Sequence, residues 1–244
     1  MGVNTVYQVG TAETLPTLAT AAATPITILP GLPVTLSKNA DATNPFGIFF
    51  ANANTLYVAD EGTGVAADAA TSIAAGLQKW SLVNGTWQRL YVMQKGLNLG
   101  QAYSVPNYPA ALNPATDGLR NIAGRLNADG TVTIWGVTST ISSNGDQGAD
   151  PNLLVTVTDT LANSDATVGA AQQFTVLKIA AYKELLRGVS LTPSVANPTA
   201  VNLLSIRLLR SAQRPLRRGH WQLCMARVSH PEHRSPPRRL CRHR

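Results

Sequence analysis

Apolar and polar residues alternate over short runs along most of the chain, the period-2 pattern of half-buried β-strands, and turn residues punctuate the runs. The pattern is clearest across residues 46–60. There Ile48-Phe49-Phe50 and Leu56-Tyr57-Val58 flank Ala53-Asn54, with Pro45 and Gly47 ahead of them, which predicts two strands around a tight turn. Next, Leu77–Leu82 and Thr86–Val92 flank Val83-Asn84-Gly85. Asn-Gly between alternating strands predicts a hairpin, because both turn positions need a positive φ that Asn and Gly tolerate.

The same order returns downstream. Leu119–Gly124 and Thr131–Trp135 flank a turn at Asn127-Ala128-Asp129-Gly130, and Leu153–Val157 and Phe174–Leu177 follow after a polar loop at 142–150. In this alignment Asn121 matches Gly47, Ile122 matches Ile48, Gly130 matches Asn54 and Ile134 matches Val58, with two extra residues before the turn. A third opening, Leu186-Arg187-Gly188-Val189-Ser190-Leu191, parallels Leu119 onward. The pattern predicts four-stranded units, two of them complete. Half a unit precedes them, at Thr5–Val9 and Ile26–Leu29, and one strand follows. The Gly/Ala-rich segment 62–75 reads as a loop or a short helix, and its lack of an apolar stripe at helical spacing favours a surface insertion. Residues 96–117, with Pro106, Pro109 and Pro114, predict a long extended connection.

The expected fold is therefore all-β: four-stranded antiparallel blades of a β-propeller, incomplete at about two full blades, with an irregular basic C-terminal tail. Closure of a propeller takes about four to eight blades. A β-sandwich or a stacked β-solenoid shares the periodicity. Leu-Tyr-Val-Ala-Asp-Glu-Gly at 56–62 and Gly-Leu-Gln-Lys-Trp at 76–80 resemble the strand-and-turn words of NHL-like and related β-propeller repeats of exported bacterial proteins. The resemblance spans residues 4 to 193. It implies an extracellular or periplasmic scaffold whose function is set by its site, since propellers host hydrolases, lactonases and binding modules alike.

Charge divides the chain. Residues 1–203 hold nine Lys and Arg against twelve Asp and Glu, whereas residues 204–244 hold eleven Arg against one Glu. The mildly acidic part is expected as a partial propeller domain over 1–194, and the Arg/Pro/His-rich stretch 195–244 as a disordered or frameshifted tail. Its change of character falls where a third blade should continue, and Arg/Pro/Cys/His-rich text is what a GC-rich gene yields out of frame. A chain that starts almost inside a strand likewise suggests omitted upstream sequence. If the tail is genuine, it is an Arg-rich arm for nucleic acid or an anionic membrane; otherwise nucleic acid is not an expected partner. A zinc site from His220, Cys224, His230, His233, Cys241 and His243 matches no finger or ribbon spacing. Both cysteines lie in the tail, which excludes a disulfide framework in the body. The sequence shows no signal peptide and no apolar run of membrane-spanning length.

Every histidine also lies in the tail, so the body lacks the commonest general base and any Ser-His-Asp arrangement. Catalysis there would fall to carboxylates, and the candidates are Asp60, Glu61 and Asp117. The favoured reading of Asp60-Glu61 is a turn that accepts backbone N–H bonds. Asp146 and Asp150, in Asn-Gly-Asp-Gln-Gly-Ala-Asp, offer oxygen ligands for calcium but lack the spacing of an EF-hand loop, which favours a solvated loop. No cofactor is otherwise implied. Arg120 and Arg187 fall at equivalent positions, which suggests a structural role such as pairing with carbonyls of a neighbouring strand. Trp80, Trp87 and Trp135 are expected in inter-blade packing rather than in a sugar platform. Asn84-Gly85-Thr86 fits a glycosylation sequon, but the hairpin already accounts for it. The functional expectation is an exported scaffold or binding module for a protein or small molecule, without autonomous catalysis. The alternative is a metal-assisted hydrolase of esterase, lactonase or phosphatase type.

Overall fold

The computed structural model describes residues 4–11, 16–36, 39–141 and 146–192. A short pair, β1 (Tyr7–Val9) and β2 (Ile26–Ile28), precedes two larger sheets. The first is an antiparallel meander of β3 (Pro45–Asn52), β4 (Thr55–Asp60), β5 (Gly76–Val83) and β6 (Thr86–Met93). The second repeats that order with β7 (Ala115–Leu126), β8 (Thr131–Ile141), β9 (Leu153–Thr160) and β10 (Thr175–Ile179). The β5–β6 hairpin turns as its sequence predicts, with Asn84 at φ 50° and Gly85 at φ 78°. Among the described residues the sheets do not close into a ring.

Two local expectations need correction. Ile48 pairs with Val58, but Ile122 pairs with Gly136, not Ile134. The β7–β8 hairpin is longer on both arms, so an alignment from the turn misplaces the second strand by two residues. The third opening, Leu186–Leu191, is not a strand. A strand needs a ladder partner, and here the Asn152 side chain takes both backbone groups of Leu186, accepting from its N–H and donating to its C=O at 2.8 Å each. The 62–75 insertion contains a single-turn helix, α1 (Ala66–Ala69). Thr63 Oγ1 starts it by accepting from Val65 N–H and donating to Asp68. Four residues are too few to display a stripe. A second short helix, α2 (Ala166–Ala170), is capped by Asp165, whose carboxylate accepts from Thr167 and Val168 N–H.

The sheets meet face to face. Tyr57, Leu77 and Met93 of the first pack on Leu119, Ile134 and Val155 of the second, all of them buried. Strands β3 and β7 approach so closely that a methyl group on Gly47 would lie 2.4 Å from the Arg120 carbonyl oxygen. Alternation along β3 sends Phe49 and Ala51 into this interface and leaves Phe46, Ile48 and Phe50 about half exposed on the opposite side. The tryptophans do not serve the inter-sheet core. Trp80 and Trp87 pack instead between the first sheet and the half unit ahead of it, against Val6 and Leu32 with Leu56 and Val58, which is packing between units as expected. Trp135 neighbours the core-facing Ile134 and so projects from the other side of its strand, beneath the Arg125 guanidinium at 5.6 Å. No helix among the described residues is long and apolar enough to cross a membrane.

Candidate functional site: an acidic cluster between the sheets

The three candidate carboxylates converge where the end of β4 meets the start of β7. An added methyl group on Gly62 would collide with the Asp117 carboxyl, and one on Gly118 would lie 2.3 Å from the Asp60 carbonyl oxygen. Asp60 and Asp117 are wholly buried. Asp60 Oδ2 accepts from Asn44 N–H at 2.7 Å and from Gln78 Nε2 at 2.9 Å, and its Oδ1 accepts from Gly62 N–H at 3.0 Å. Asp117 Oδ2 accepts from Gly64 N–H at 2.7 Å and from the Gln147 amide. Glu61 Oε2 pairs with Arg120 Nε at 3.1 Å, while its backbone carbonyl accepts from Ser139 and Gln147. Counted from the Ile48–Val58 and Ile122–Gly136 pairs, Thr138 and Ser139 occupy the places of Asp60 and Glu61 in the second sheet. The acidic pair thus belongs to the first sheet only.

Burial pushes the Asp60 carboxyl up to about 6, and the nearby charges of Glu61 and Asp117 add to the rise; the Gly62 and Asn44 amides pull it down without cancelling it. The folded chain therefore takes up this proton near pH 6, while the unfolded chain does so only near 3.8. Between those values the folded state binds more protons, so Asp60 adds stability as pH falls through 6 and withdraws it as pH rises. Urea melts between pH 7 and 5 should show this gain in the wild type, and Asp60→Asn should flatten it.

The other candidates separate. Asp146 Oδ1 accepts from Gly148 N–H at 2.9 Å, and Asp150 Oδ1 accepts from Tyr108 OH at 2.7 Å. Among the described residues no group of three or more His, Cys, Asp or Glu side chains is placed to hold a metal ion. Arg120 has the structural role its repeat position suggests, but among the described residues it fills it through side chains rather than strand carbonyls. It binds Glu61 and lies over the Phe46 ring, 4.3 Å from its centre. The tail residues, with the candidate zinc ligands, lie outside the described residues.

A second polar cluster has no counterpart in the sequence reading. Lys79 on β5 and Asp159 on β9 form an ion pair at 2.9 Å, with side chains 1% and 0% exposed. Lys79 Nζ also lies 2.9 Å from the Tyr91 hydroxyl and from the carbonyls of Thr160, Leu161 and Asn163. Tyr57 and Tyr91 donate to Asp159 at 2.6 and 2.9 Å. Burial first, then the Asp159 carboxylate, raises both phenols well above their ordinary range and keeps them as donors. The signal was legible in the alternation: Lys79 follows Leu77 on the inward face, and Asp159 follows Leu153, Val155 and Val157. A charge on an apolar stripe requires a partner.

A cavity of about 640 Å³ is lined by residues of the 31–43 segment, Trp80 and Arg89, and by none of Asp60, Glu61 and Asp117. Fold and site together define an antiparallel β protein whose buried acids hold two sheets together. Compared with known proteins, the chain matches no family model, no curated protein and no solved structure.

Proposed function

We propose that the two sheets are blades of a β-propeller and that the chain serves an exported protein as a non-catalytic scaffold or binding module. One observation carries the reading: Asp60 is fully buried and its carboxylate oxygens are spent on Asn44, Gly62 and Gln78, which makes it a clamp for the chain rather than a base open to substrate. Support for blades comes from the two meanders of identical strand order, stacked through apolar faces. Ester, lactone and phosphate-ester panels, run with and without calcium, should give no turnover, and calcium should leave the melting temperature unchanged. Calcium-dependent stabilisation together with turnover lost in Asp60→Asn would replace this reading with a metal-assisted hydrolase using Asp60, Glu61 and Asp117.

A further inference from the structure

The third opening, although not a strand, brings Arg187 to the same place as Arg120. Both line a cavity of about 200 Å³, together with Phe46, Val137 and Leu186 as apolar walls and Asn121. The site is built rather than incidental. Arg120 is held by Glu61 at its Nε and by the Phe46 ring, and it passes so close over Gly148 that a methyl group there would overlap Nη1. Asn152 fixes the 185–187 segment through its paired bonds to Leu186. The charges do not balance: Glu61 offsets Arg120, while Arg187 is exposed and has no acidic partner among the described residues. One positive charge remains beside apolar walls.

We infer that this cavity binds a small organic carboxylate with a short aliphatic body, its carboxylate on the Arg187 guanidinium and its chain against Phe46, Val137 and Leu186. Guanidinium favours carboxylate by two parallel hydrogen bonds. The volume is below the roughly 300–1,000 Å³ of drug-sized sites, which limits the ligand to a small acid. This inference rests on the binding-module reading and gives it a ligand class.

Calorimetric titration of the full chain with hexanoate tests it, with hexylamine and inorganic phosphate as comparisons. Hexanoate should bind with one-to-one saturation at a dissociation constant on the order of 1 mM, the affinity suited to so few atoms. Arg187→Gln should weaken binding about tenfold or more, the loss of one charge-assisted contact. Arg187 is exposed, so this variant should fold, and an unchanged melting temperature would verify that. Hexylamine should not bind. Hexanoate binding that fails to saturate, or that Arg187→Gln leaves intact, would overturn the inference; phosphate binding as tight as hexanoate would overturn the aliphatic part of it. Turnover in the ester panel would overturn the non-catalytic reading alone and leave the carboxylate site standing.

Discussion

Lys79→Met should destabilise the protein by about 3–5 kcal/mol, the cost of leaving one member of a buried ion pair without the other. Methionine matches the aliphatic stem of lysine, so the change removes charge and donors rather than volume. Asp159 would keep the Tyr57 and Tyr91 hydroxyls but lose its cation, and the carbonyls of Thr160, Leu161 and Asn163 would lose their shared donor. Against a total stability of about 5–15 kcal/mol this is a large fraction. For a domain of this size it lowers the thermal midpoint by about 10 °C. The check is a double-mutant cycle with Asp159→Asn, read by urea denaturation. Replacing both partners should cost less than the sum of the two single changes. Strict additivity would mean that the pair is not coupled.

Gly118→Ala should cost about 1–3 kcal/mol, towards the upper end of the range for overpacking. Its new methyl group would lie 2.3 Å from the Asp60 carbonyl oxygen, 2.8 Å from the Glu61 carbonyl carbon and 3.0 Å from Gly62 nitrogen. All three are backbone atoms, so no rotamer change relieves the overlap, and the sheets must separate where the acidic cluster joins them. Gly188→Ala is the control. Nothing lies within 4 Å of its added methyl group, and its stability should stay within about 0.5 kcal/mol of wild type. Equal losses in the two variants would show that the contact at Gly118 does not govern the interface.

The strands of both sheets were legible because each is a short run of alternating residues between strong turn signals, as at Asn84-Gly85. Register was less so. The sequence fit between the two hairpins was anchored at their turns, yet the β7–β8 arms are each longer, and only cross-strand pairing shows that Gly136 stands where Val58 does. Of the site, Asp60 was correctly expected to accept backbone N–H bonds, but its company was not readable. Asp117 lies 57 positions away in the chain and meets it only because β7 packs on the end of β4. Trp80 and Trp87 pack between units as their strand positions suggest, against the half unit ahead of the first sheet; alternation says that a residue points to one face, not which neighbour covers that face, and Trp135 turns out to face away from the core. Leu186–Leu191 carries strand-like residues without a strand to pair with among the described residues.

The ion pair between Lys79 and Asp159 also sets an order of events during synthesis. Apart from the Tyr91 hydroxyl, the oxygens around the ammonium group belong to residues some eighty positions later than the lysine. At about 5–20 residues per second, roughly 4–16 seconds separate the emergence of the two from a ribosome. Throughout that interval the inward face of the first sheet holds a cation, two phenols and bare apolar surface in water. The first sheet produced alone is therefore expected to show no cooperative urea transition, and the two sheets to unfold in a single transition in the full chain.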